Sequence, residues 1–162
     1  MEKQEAKGAE NLPEQVLELF SQGVTLGDMV GYDEKDYAAV YALGHELYAR
    51  GRYADAMKAF GFLTMHDQWE RKYMIAFAAS LQMLERYKEA IQFYSNASIL
   101  DLSDPMPTFH TAECMIPLGM LKEASEALDI VIEQCEGVAE RKELKQRAQA
   151  LLSVVRKPAA AN

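Results

Sequence analysis

The stretch YALGHELYARGRYADAMKAF, residues 41–60, decides the fold. It places Leu43, Gly44 and Leu47 before Arg50-Gly51-Arg52, and Tyr53, Ala56 and Phe60 after it. Sliding the chain against itself by 34 residues repeats the arrangement without an insertion. Leu43-Gly44 then falls on Phe77-Ala78 and Thr111-Ala112, and Leu47 falls on Leu81 and Met115. Beyond the turn, Tyr53 aligns with Tyr87 and Leu121, Ala56 with Ala90 and Ala124, Phe60 with Tyr94 and Leu128, and Leu63 with Ala97 and Val131. Apolar residues recur three and four apart on both sides of the turn, the spacing of two helices that each bury one face.

A period of this length is that of the tetratricopeptide repeat (TPR), a helix pair that stacks on its neighbours. The expected fold is all-α, with three tandem TPR helix-turn-helix repeats in a short superhelix, an N-terminal helix and a C-terminal capping helix. The repeats are read at 37–70, 71–104 and 105–138. The helix pairs are predicted at 37–50 and 53–66, 70–84 and 87–100, and 106–118 and 121–135. Small residues stand where paired helices must come close: Gly44, Ala56, Ala78, Ala90, Ala97, Ala112 and Ala124. Gly51 and Gly119 suit the left-handed residue that ends a helix, and the second unit has Glu85 there instead. Asp104 is a candidate cap for the third pair with Pro105 at its first position, and Ser103 competes for the capping role. Pro117 cannot donate to the carbonyl of Glu113 and predicts a kink or an early end.

Outside the repeats, residues 1–12 and 157–162 read as flexible tails and 13–31 as an N-terminal helical segment. In that segment Pro13–Gln22 is an amphipathic helix with Val16, Leu17, Leu19 and Phe20 on its apolar side, followed by the glycine-punctuated stretch Gly23–Gly31. Residues 139–156, with Leu144, Ala148, Leu151, Leu152 and Val155, form the capping helix that a stack needs at its open end. Glu140, Lys142, Lys145 and Arg147 belong to its exposed face.

Nearly half of the 162 residues are hydrophobic and a quarter are charged, the balance of a folded globular chain. Lys and Arg number 17 against 25 Asp and Glu, a net charge of -8 that repels a phosphate backbone, so no nucleic acid contact is expected. No apolar run approaches the roughly 20 residues of a membrane span, and Met1–Glu10 lacks the apolar core of a secretory signal. A cytoplasmic protein without stable membrane association is expected. Cys114 and Cys135 read as reduced, buried thiols.

The first helix of each pair lines the concave side of such a stack, which accommodates an extended peptide. Helical spacing assigns to this groove Ala38, Tyr41, His45 and Tyr48, then Lys72, Ile75, Ala79 and Gln82, then Met106, Phe109, Glu113 and Ile116. Tyr41, Tyr48 and Phe109 offer large anchors at small entropic cost, and the phenols can hold a peptide backbone. Packing within the repeat is the competing role for a tyrosine at this spacing. Met106 and Met65 are expected to lend the groove plasticity. His45 is placed to donate to a peptide carbonyl, while His66 and His110 read as surface or helix-end residues. His110, Glu113 and Cys114 share one helical turn without a partner motif elsewhere, so no metal is expected. No phosphate loop, nucleophile elbow or supported Cys-His pair is present, so neither catalysis nor a cofactor is expected.

With Tyr41-Ala42-Leu43-Gly44, Tyr48, Tyr53 and Ala56, then Ala54–Asp67, Tyr87–Ser95 and Phe109-His110-Thr111-Ala112-Glu113-Cys114, the chain resembles the class II chaperones of bacterial type III secretion. The likeness runs from about Val16 to about Leu152, and its more specific parts are Phe109–Cys114 and Gly23–Gly31. It implies a bacterial cytoplasmic chaperone that binds N-terminal segments of the hydrophobic translocators, major and minor, in the groove. It would keep them soluble, apart and export-competent. Tyr41, Tyr48 and Phe109 match aromatic groove positions of that family. His45 departs from a position often apolar or aromatic there, and Pro117 is a second departure. The resemblance also implies a homodimer through the N-terminal helix, with Val16, Leu17 and Phe20 as candidates. The alternative is a TPR adaptor or scaffold that assembles another protein complex.

Overall fold

The computed structural model describes Glu18 and residues 22–157. Among these residues eight α-helices follow one another without a strand: α1 (Leu26–Val30), α2 (Glu34–Ala49), α3 (Tyr53–His66), α4 (Arg71–Met83), α5 (Tyr87–Leu100), α6 (Met106–Met115), α7 (Leu121–Gln134) and α8 (Lys142–Val155). A 3-10 turn, Ala139–Arg141, leads into α8. Val16, Leu17 and Phe20, the candidate dimer contacts, and most of both tails lie outside the described residues.

The turn between the helices of a pair is the same three times. The amides of Gly51, Glu85 and Gly119 donate to the carbonyls of Tyr48, Gln82 and Ile116 over 2.9–3.0 Å. Arg52, Arg86 and Met120 then donate to Leu47, Leu81 and Met115. Gly51 and Gly119 have φ of 73° and 75°, and Glu85 adopts the same hand at 58°. The period therefore overrides the local preference of a glutamate.

Helix ends depart from the sequence reading where local chemistry is strong. Gly23–Gly31 contains α1, built on a capping box in which the Asp28 amide donates to the Thr25 hydroxyl and the Thr25 amide to the Asp28 carboxylate. The second helix begins at Glu34 rather than at 37, because Asp33 and Asp36 form another such box. The sixth ends at Met115 rather than 118, two residues before Pro117, which has no N–H to extend the ladder. At its start, Asp104 accepts the Met106 amide at 2.9 Å while Ser103 turns back to Asp101.

Substantial packing runs between consecutive helices from α2 to α8, with α1 laid on α3. At the crossings Ala56, Ala78, Ala90, Ala97, Ala112 and Ala124 are fully buried, and larger side chains there would push the helices apart. Between them lie three successive cores: Phe60, Leu63 and Tyr73; Leu81, Tyr94 and Cys114; and Phe109, Leu128, Val131, Leu144 and Leu152. Arg71 ties the start of repeat two to its end, donating to the Ala97 carbonyl and to Asp104 at 2.9 and 2.5 Å. Leu43 remains 51% exposed, whereas its equivalents Phe77 and Thr111 are half-buried and buried.

Candidate peptide-binding groove

The N-terminal half of α2 and the start of α4 enclose a cavity of about 510 Å³. Ala38, Tyr41 and Lys72 line it, three residues that the repeat register places in the groove, together with Tyr37, Tyr73 and Glu70. The edge of the His45 ring meets Tyr41 at 4.4 Å, and Tyr41 in turn lies against Phe60. Lys72 pairs with Glu70 and places its ammonium 5.8 Å from the Tyr41 ring centre.

Tyr41 and Tyr48 are half-buried, with Tyr48 edge-on to Tyr53 at 5.0 Å. Burial raises both phenols above their ordinary value, and Lys72 opposes this at Tyr41. Both are therefore protonated donors at neutral pH. Among the described residues neither hydroxyl has a hydrogen-bond partner, so each is available to a ligand carbonyl.

The candidate groove positions Gln82 and Glu113 belong to a polar cluster. Glu113 accepts from Nδ1 of His110 at 2.8 Å and from the Gln82 amide at 3.4 Å. Tyr94 donates to the Gln82 carbonyl oxygen at 2.9 Å. Burial pushes the Glu113 carboxyl upward, but the His110 and Gln82 hydrogen bonds and the charge of Arg147 outweigh it and hold the group below its ordinary value. Ile75 and Ala79 pack half-buried against the core around Leu81, and Met106 against that around Leu128. Ile116 is half-buried at the end of α6.

Three assignments require correction. His110, read as a surface or helix-end residue, is part-buried in the middle of α6 and stacks on Tyr94. Phe109 is no open anchor: it is 2% exposed and packs with Ala112, Leu128, Leu144 and Leu152. The guanidinium of Arg147 from α8 covers its ring at 4.7 Å. Met65 lies away from Tyr41, in a second cavity of about 550 Å³ with Met57, Phe62, Phe77 and Phe93 that shares no lining residue with the first. Arg147 is a neighbour of the candidate groove residues Phe109 and Glu113 that spacing overlooked. The signal for it is the period itself, because Arg147 stands 34 residues after Glu113.

The tetratricopeptide-repeat family model matches residues 35–69 and 72–104. Low calcium response locus protein H of Yersinia pestis is 32% identical over 117 residues, 72% of this chain and 70% of that protein. The Yersinia enterocolitica type III secretion chaperone SycD, solved with a peptide of the translocator YopD, is 30% identical with a TM-score of 0.72 over 76% of this chain and 94% of SycD. The chain belongs to the TPR-type class II translocator chaperones of type III secretion. Another structure of this kind is PcrH of Pseudomonas aeruginosa with the chaperone-binding region of PopD, 33% identical with a TM-score of 0.73 over 77% of this chain and 94% of PcrH. The family is one of chaperones rather than enzymes. Among the described residues of this chaperone, no helix is long and apolar enough to cross a membrane and no cluster of metal-binding side chains occurs.

Proposed function

We propose that this chaperone binds extended N-terminal segments of hydrophobic type III translocators, major and minor, in the groove flanked by Tyr41 and Tyr48. It holds them soluble, apart and export-competent in the bacterial cytoplasm. Two half-buried phenols with unpartnered hydroxyls carry this reading, because they combine apolar area with donors for a peptide backbone. The complexes of PcrH and SycD with translocator segments support it by kinship. A homodimer through Val16, Leu17 and Phe20 belongs to the same reading, and Leu17→Glu should convert it to monomer in sedimentation.

Calorimetry with the PopD chaperone-binding region as probe tests the groove. Tyr48→Ala should weaken binding by about 2 kcal/mol, the size of an anchor loss, while helicity stays intact. Unchanged affinity would overturn the assignment. The adaptor reading rests on the second cavity, where Phe62, Phe77 and Phe93 form an apolar surface. If Met65→Glu abolishes complex formation while Tyr48→Ala does not, that face carries the function instead.

A further inference from the structure

We propose that Glu113 and Arg147 form a clamp for the main chain of the bound peptide, the carboxylate accepting a backbone N–H and the guanidinium donating to a carbonyl of the same residue. This rests on the groove reading and deepens it: the tyrosines supply apolar area and single donors, and a charged pair supplies both a donor and an acceptor to the backbone.

The two oxygens of Glu113 are used unequally. Oε2 accepts from both His110 and Gln82. Among the described residues Oε1 faces only Arg147, at 3.7 Å, beyond hydrogen-bond length. The carboxylate is thus held firmly through one oxygen and keeps the other open. Its holders are fixed in turn, because His110 stacks on the buried ring of Tyr94 with centres 5.2 Å apart and Tyr94 secures Gln82. A negative Glu113 makes His110 Nδ1 the donor.

Arg147 is equally prepared. Its guanidinium lies over the Phe109 ring, yet its side chain is 48% exposed, so N–H groups remain unfilled among the described residues. One open acceptor and several open donors therefore stand side by side. An extended chain presents the N–H and C=O of one residue on the same side, the pattern by which paired residues of a sheet exchange two bonds. Main-chain contacts supply affinity without selecting sequence, and side-chain cavities supply the selection. A chaperone serving more than one client gains from that division, and the fixed pair spares the cost of ordering both groups on binding.

The test titrates the PopD chaperone-binding region, and analogues with each amide N–H replaced in turn by an ester oxygen, into the full chain, Glu113→Gln and Arg147→Ala. One ester position should lower affinity for the parent protein about tenfold, and that loss should shrink to about threefold or less in Glu113→Gln. Arg147→Ala should bind the unmodified peptide about tenfold more weakly. Arg147→Lys, which keeps charge but not the planar fork, guards against unfolding of α8 and should also bind more weakly, at an unchanged melting temperature. If all esters bind equally to both proteins, or if Arg147→Ala and Arg147→Lys bind like the parent, the clamp is overturned while a Tyr48→Ala effect leaves the groove standing. No binding of the parent peptide overturns the groove and the clamp together.

Discussion

Gly44 meets Phe60 so closely that a Cβ on Gly44 would stand 2.5 Å from Cε1 of the ring. Phe60 is buried and carries the rings of Tyr41 and His45 against it, so it cannot withdraw without disturbing the groove. Overpacking should outweigh the better helix propensity of alanine, leaving Gly44→Ala destabilised by about 1–2 kcal/mol. Urea unfolding measures this, and a wild-type midpoint would show that the ring can yield.

At Glu85 the opposite change should help. Its φ of 58° copies the glycines of the other two turns, a hand that costs a side-chain-bearing residue about 1–2 kcal/mol. Glu85→Gly should raise stability by about 0.5–1 kcal/mol after the added freedom of the unfolded chain is deducted. A lowered urea midpoint would contradict that account.

The thiols should be inert in the folded protein. Burial pushes Cys114 up to about 12, with Glu113 adding to the shift, and burial also raises Cys135. Ellman's reagent at about pH 8 should leave both unmodified until denaturant is added, then titrate both. Rapid native reaction of Cys114 would mean that the core around Leu81 opens readily.

Glu113 gives a pH dependence of fixed sign. Its folded-state value lies below the ordinary one, so its ionised form stabilises the fold above the unfolded value. That stabilisation is lost as pH falls through the folded value. The stability gap between the wild type and Glu113→Gln should therefore be largest near neutrality and close on acidification below about pH 4. A gap that widens on acidification would reverse the sign argued here.

The period of the sequence located most helices because a repeat constrains the same contacts several times. Tyr53–His66 and Tyr87–Leu100 follow directly from a turn residue and aligned alanines. Phe109 shows where this stops. Its register equals that of Tyr41 and Ile75, but the helix that follows it is α8, whose Leu144, Leu152 and Arg147 close over the ring from a distance in sequence that no local spacing encodes. Arg147 is hidden for a related reason, since reading the last helix only as a cover conceals that it also borders Phe109 and Glu113. The first helix was readable from Thr25 and Asp28, whose spacing is that of a capping box, although the glycines on either side suggest a loop.

A molecule whose helices from α2 to α8 lean mainly on the element before and the element after has the mechanics of a coil spring. Slight rotations at each joint would add up along its length, so a change of inner radius would be shared among the joints instead of breaking any one of them. Its bore would then be set by the whole winding and by no single turn of it.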